Sequence, residues 1–418
     1  MPWLAGDERA RVRVHASWRS VLPIRDLMDS LNRPFRRDRS VALAYIFNSS
    51  LTGFQIAIGA TMPVIRADLN ISLTLASLHF TVAALCGMIG ANLVAMVVGR
   101  FGRRLTMIAS VTVVSLALLA FCIAPSVILT LLACAAFGLA GPFALVLTQA
   151  EVLDRKVYHR AIAMAELNLV VSAALVATTL GVGPLVALTG SWRIALMLPV
   201  AATFCTFIAL RGLVFSDAAR RRGSRTKRRM TGLAWLFCLP IICSTAFEWS
   251  YGYQGAEFLD QAGGVSKEAA ATLMTLFYAG MVVSRIVLIR VVRKVAISRL
   301  LQASFVISLA GFLLLAGGPT VEVKALGLLI SGFGIAVTYP MIVTLAGTAF
   351  ADSTDWIVAK LYVAGGLAIG LAPFLIGALG DQFGIGRSFW TLGLIALAGL
   401  MITPFLRRSL TANAPAAN

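Results

Sequence analysis

The most restrictive feature of this chain is a succession of apolar runs, each about 20 residues long, that recurs from residue 41 almost to the C-terminus. A helix of that length crosses the hydrocarbon core of a bilayer, and a water-soluble fold cannot cover so many such runs. Twelve are read, at 41–66, 73–98, 104–125, 127–149, 161–187, 192–214, 232–258, 270–291, 298–318, 323–348, 356–379 and 388–406. Stretches such as Ser110 to Ala124 are uncharged and lack the alternating polarity of a membrane barrel strand, so the spans are read as helices. The predicted fold is an all-α integral membrane protein with twelve transmembrane helices in two pseudo-symmetric six-helix bundles.

A net charge of +18 would suggest a nucleic-acid partner in a soluble protein. Placed on the spans, the charge reads as topology instead. With an internal N-terminus, one side collects the nine arginines of the first 40 residues, Arg100, Arg103, Arg104, and the eight basic residues from Arg211 to Arg229. The other side holds only Arg66, Arg193, Lys267, Lys324 and Arg387. This is the asymmetry of the positive-inside rule. It predicts a multi-pass protein of the inner membrane with both termini cytoplasmic and no nucleic-acid partner.

The chain divides into a basic cytoplasmic arm (1–40), a first bundle (41–214), a basic cytoplasmic hinge (215–231), a second bundle (232–408) and a short cytoplasmic tail (409–418). The arm has no continuous apolar segment of the kind a cleavable signal needs. Its Ile24, Leu27, Met28 and Leu31 share one helical face among arginines, which suits contact with anionic lipid. The bundles echo one another: Gly87-Met88 and Arg100 recur as Gly280-Met281 and Arg293, and Gly181-Val-Gly-Pro184 resembles Gly370-Leu-Ala-Pro373. Six scattered cysteines and three histidines offer no metal spacing. No phosphate loop, zinc-protease helix or nucleophile elbow is found. The expectation is no cofactor, no metal and no enzymatic activity, with energy drawn from a gradient.

The turn after the second span, Ala95-Met-Val-Val-Gly99-Arg100-Phe101-Gly102-Arg103-Arg104, resembles the loop signature of the major facilitator superfamily at Arg100, Gly102, Arg103 and Arg104. Ala95 and Gly99 stand where that signature carries Gly and Asp. Gly183-Pro184 is similar to the antiporter motif of the drug/proton branch. Glu248-Trp249, Gly280 to Arg285 and Gly332 to Pro340 resemble the fucose-permease-like branch. The resemblance implies alternating-access transport of a small organic solute, coupled to protons, with Arg100, Gly102, Arg103 and Arg104 forming a gating loop. An exporter of amphiphilic compounds working by proton antiport is the alternative, and a transporter-shaped assembly factor or sensor is the alternative from another class. The expected partners are a small-molecule substrate, membrane lipids and protons, with the chain acting as a monomer.

An ionisable side chain at the bilayer centre costs about 2.5–3.5 kcal/mol on insertion scales, so one found there usually faces the protein interior. Glu248 lies about 16 residues into its span, roughly 24 Å at the helical rise. It is grouped with Trp249 and Tyr251 as a surface that can stack on a solute, attract a cation or take up a proton. Arg285 cannot discharge itself and needs a partner, either Glu248 or an anionic substrate. Asn48, Gln55, Gln149 and Tyr339 are further substrate-binding candidates, and Glu166 and His79 join Glu248 as proton-coupling candidates. Glu257 is expected to reach the outer headgroups.

Overall fold

The computed structural model describes residues 39–155, 160–211, 230–292, 294–350 and 353–412. The lipid-facing helix read in the arm and nearly all of the basic hinge lie outside these residues. Within them the chain is helical throughout. The first half comprises α1 (Arg39–Leu69), α2 (Leu73–Ile123), α3 (Val127–Arg155), α4 (Arg160–Thr189) and α5 (Trp192–Arg211). The second comprises α6 (Gly232–Gln261), α7 (Lys267–Val291), α8 (Ile297–Gly317), α9 (Val321–Ile335), α10 (Thr338–Ala349), α11 (Thr354–Phe383), α12 (Ile385–Ser388) and α13 (Trp390–Ala412).

Ten stretches among the described residues are long and apolar enough to cross a membrane, with a shorter apolar helix at Trp192–Thr206. One of the ten, α2, runs for 51 residues and contains two of the expected spans. They are separated at Gly102, whose φ of 76° and ψ of 163° break the helical path. Left-handed φ is open to glycine and costs other L-residues about 1–2 kcal/mol. Among the described residues no atom of a non-adjacent side chain or of another helix lies within 4 Å of where a Cβ would sit, so backbone conformation demands glycine here. We expect Gly102→Ala to lower the melting temperature of purified protein by a few degrees while Gly141→Ala, in open space at ordinary helical φ, leaves it unchanged.

Several helices begin where the sequence supplies a capping hydroxyl. The amides of Leu75, Ala234, Ala269 and Val323 donate to Ser72, Thr231, Ser266 and Thr320. Pro340 falls in the first turn of α10, where its missing N–H is tolerated. The span read at 323–348 is accordingly broken at residues 336–337.

Each half has its own aromatic core. Phe47, Phe54, Phe121 and Trp192 fill the first, and Phe237, Phe247, Tyr251, Phe277, Phe305, Phe312 and Phe389 fill the second. Large apolar side chains also cover the outside: Ile128, Leu132, Leu188, Leu394 and Met401 are all exposed, as a lipid-facing surface requires. Glycines bring helices to backbone contact in matching places. Gly90 abuts the Leu139 carbonyl and Gly138 that of Ala83, while Gly280 abuts the Leu329 carbonyl and Gly332 that of Phe277. The α2–α3 packing of the first half is thus repeated by α7–α9 in the second.

Candidate functional site

A cavity of about 1190 Å³ lies between the two halves. Its wall comes from the middle of α1, α3, α6 and α11, from residues 83–88 in the first span of α2, from the break between α9 and α10, and from the parts of α4 and α7 nearer the Gly102 end of the bundle. Glu248, Trp249, Arg285, Gln55, Tyr339 and Glu166, all singled out from sequence, line it. Glu248 is half-buried, and among the described residues no hydrogen bond or ion pair reaches its carboxylate. Arg285 is close enough to act on it electrostatically without touching it. The guanidinium reaches across to the other half instead, donating from Nη1 to the Asn168 carbonyl at 3.1 Å and to the Ser172 hydroxyl. Neither partner of Arg285 proposed from the sequence includes this backbone carbonyl, because it comes within reach of the guanidinium only through the docking of α4 against α7.

Four candidates do not face the cavity. Tyr251 is fully buried in the core of the second half, its hydroxyl 2.9 Å from Ser331 Oγ and its ring stacked on Phe277. It lies two positions from Trp249, about 200° around the helix, so the two cannot share a face. Asn48 donates to the Ala44 carbonyl and to Thr148 Oγ1, both at 2.8 Å, which ties α1 to α3. Gln149 is directed at Asn48 Oδ1 from 3.5 Å. His79 is enclosed in the first half, within 2.8 Å of Thr130 Oγ1 and 2.9 Å of the Leu75 carbonyl. Arg100, Gly102, Arg103 and Arg104 surround the bend in α2, with Arg100 and Arg104 exposed. Wall residues that the sequence did not single out include Phe137 and the Gly365-Gly366 pair. The spacing of Tyr362, Gly365, Gly366 and Ile369 along one helical face was the available signal.

At the end of the bundle opposite Gly102 the halves are zipped together. Glu257 is 2% exposed and paired with Arg66 and Gln261, instead of reaching the headgroups as expected. Asp381 of α11 accepts from the amides of Leu73 at 2.8 Å and Thr74 at 2.9 Å, capping α2 from the opposite half. Gln254 donates to Ser77 at 2.9 Å, and Thr81 to the Gly370 carbonyl at 2.6 Å. Tyr253 of α6 stacks on Phe80 of α2 with centroids 3.6 Å apart. Gly59 against Gly252, and Gly183 against Thr272, allow this approach. Arg66 and Glu257 were each visible at the same level, after the first span and at the end of the seventh, but nothing in the sequence said that those ends meet.

A cavity walled by two helical bundles, shut at one end and carrying ionisable groups at its middle, is the layout of a secondary transporter. Comparison with known proteins agrees with that class. The sequence model of the Major Facilitator Superfamily matches residues 41–257. The chain belongs to the Major Facilitator Superfamily. The fold is similar to the nucleoside transporter NupG, with TM-score 0.72 and 11% identity over 90% of this chain and 99% of that one. It is also similar to a bacterial homologue of the human lysosomal transporter Spinster in an inward-facing, occupied conformation, with TM-score 0.71 and 14% identity over 90% and 98%. A D-xylose–proton symporter gives TM-score 0.68 and 15% identity over 88% and 96%. No curated protein matches the sequence. Family and fold point to a transporter and away from an enzyme.

Proposed function

We propose that this protein moves a small organic solute across the inner membrane by alternating access, with proton coupling through Glu248. Its arginine distribution supports a threading in which the Gly102 end is cytoplasmic. On that threading the structure is the inward-facing form. The observation that carries the reading is the Glu248 carboxylate standing, among the described residues, without a hydrogen-bond partner in a cavity between the halves. A carboxylate so placed can hold a charge on the solute or discharge itself with a proton, and only one of these at a time is favourable. Arg285, bound to α4 from α7, supports a coupling of that exchange to the relative motion of the halves.

Purified protein in proteoliposomes is expected to drive concentrative flux of a cognate solute when a pH gradient is imposed, and to lose that drive on addition of a protonophore. With Glu248→Gln the pH gradient should no longer produce accumulation. Concentrative flux that persists undiminished in Glu248→Gln would remove the carboxylate from the coupling step.

A further inference from the structure

We infer that the ligand of the central cavity is an organic cation with an aromatic or otherwise extended apolar body. The inference rests on the transport reading for its setting but on the cavity wall for its content. Among the described residues three charged side chains line the wall, Glu166, Glu248 and Arg285, and two of the three are carboxylates. The one cation among the described wall residues is already committed, since Arg285 is hydrogen-bonded to Asn168 and Ser172. An anion entering the cavity would meet that engaged guanidinium together with the Glu248 carboxylate. A cation meets the Glu248 carboxylate, which has no hydrogen-bond partner among the described residues.

The uncharged part of the wall narrows the class further. Three of the neutral polar groups that line the cavity spend donors on their own helices. Thr245 donates to the Ile241 carbonyl at 2.5 Å, Thr344 to that of Pro340 at 2.8 Å, and Asn168 to that of Met164 at 2.9 Å. The Thr245 and Thr344 hydroxyls so engaged have no further proton to donate to a solute. Rings, by contrast, are plentiful: Phe137, Trp249, Tyr253, Tyr339 and Tyr362 all contribute to the wall. Tyr339 and Trp249 flank the region of Glu248, so a cation drawn to the carboxylate is also offered aromatic faces. A volume of about 1190 Å³ leaves room for a body of several rings.

The test uses two ions of matched shape and opposite charge, tetraphenylphosphonium and tetraphenylborate. Each is measured by equilibrium dialysis against the full-length protein in detergent, with protein-free micelles subtracted. The expected result is that the phosphonium binds about tenfold or more tightly than the borate. Glu248→Gln should erase that preference, and Glu248→Asp, which retains the charge, should keep most of it and guard against a folding artefact. Equal binding of the two ions, preference for the borate, or unchanged phosphonium affinity in Glu248→Gln would each overturn the inference. Solute flux in proteoliposomes without any cation preference would overturn it while leaving the transport reading in place. Cation-selective, Glu248-dependent binding by protein that moves nothing would uphold it and sink the transport reading instead.

Discussion

Replacing Arg66 by methionine is expected to open the end of the protein that the structure holds shut. Glu257 is 2% exposed and its Oε2 has no partner among the described residues, so Arg66 and Gln261 are what compensate the buried charge. Removing one member of a buried ion pair costs about 3–5 kcal/mol, because the survivor stays desolvated and uncompensated. Here the pair joins α1 to α6, across the seam between the halves. The cost therefore falls on the state in which the seam is closed, and separation of the halves relieves it by letting water reach Glu257. A difference of that size corresponds to a population shift of about a hundredfold or more. Asp381, Gln254 and Thr81 still hold the seam, so separation is opposed, but less strongly than in the parent.

Ser77 is 2% exposed and lies in that seam, which makes it a reporter. In a background stripped of native cysteines, Ser77→Cys should react with a membrane-impermeant maleimide at least about tenfold faster when Arg66→Met is present. Exchanging the two charges, Arg66→Glu with Glu257→Arg, should return the rate toward that of the parent. Identical rates in all three proteins would mean that the ion pair does not govern closure.

Gly332→Ala is expected to damage folding itself. A Cβ at Gly332 would overlap the carbonyl of Phe277, and both residues belong to the second half, on α9 and α7. The obstacle is backbone, with no flexible side chain to swing aside, so the two helices must separate along a packed face. Overpacking of this kind costs about 1–3 kcal/mol and sometimes more. Unlike a clash in the seam, it has no alternative conformation of the transport cycle in which it is relieved. Gly317→Ala is the matched control, since nothing lies within 4 Å of its Cβ position. Thermal unfolding in detergent should give a clearly lower midpoint, with reduced yield, for Gly332→Ala and an unchanged or slightly raised one for Gly317→Ala. Equal midpoints would show that α7 and α9 do not depend on that close approach.

Much of this protein is legible in the order of its residues. Apolar runs about 20 residues long determine membrane helices because hydrocarbon leaves the backbone no partner but itself. Gly102 within a run of basic residues marks the turn in α2, and Pro340 marks the discontinuity between α9 and α10. Ionisable residues placed deep in spans point to the interior, and Glu248, Arg285 and Glu166 do line the cavity. What a single sequence does not supply is the angle at which each helix faces its neighbours. Trp249 reaches the cavity while Tyr251, two positions on, is locked against Ser331, and Gln55 lines the wall while Asn48, two turns away, is bound to Thr148.

The same limit hides every contact that spans the halves. Arg66 and Glu257 are separated by 191 positions, Thr74 and Asp381 by 307. Periodicity reports only on residues within a few turns of one another, and such long-range partners carry no local trace. Membrane insertion, helix positions and the identity of the buried charges were determined by the order of residues, since each depends on the transfer of a side chain or a short segment out of water. Which charges meet, which end is shut and which carboxylate is left facing the cavity were decided by how the helices pack. Packing assigns partners according to the approach of surfaces that are remote in the chain.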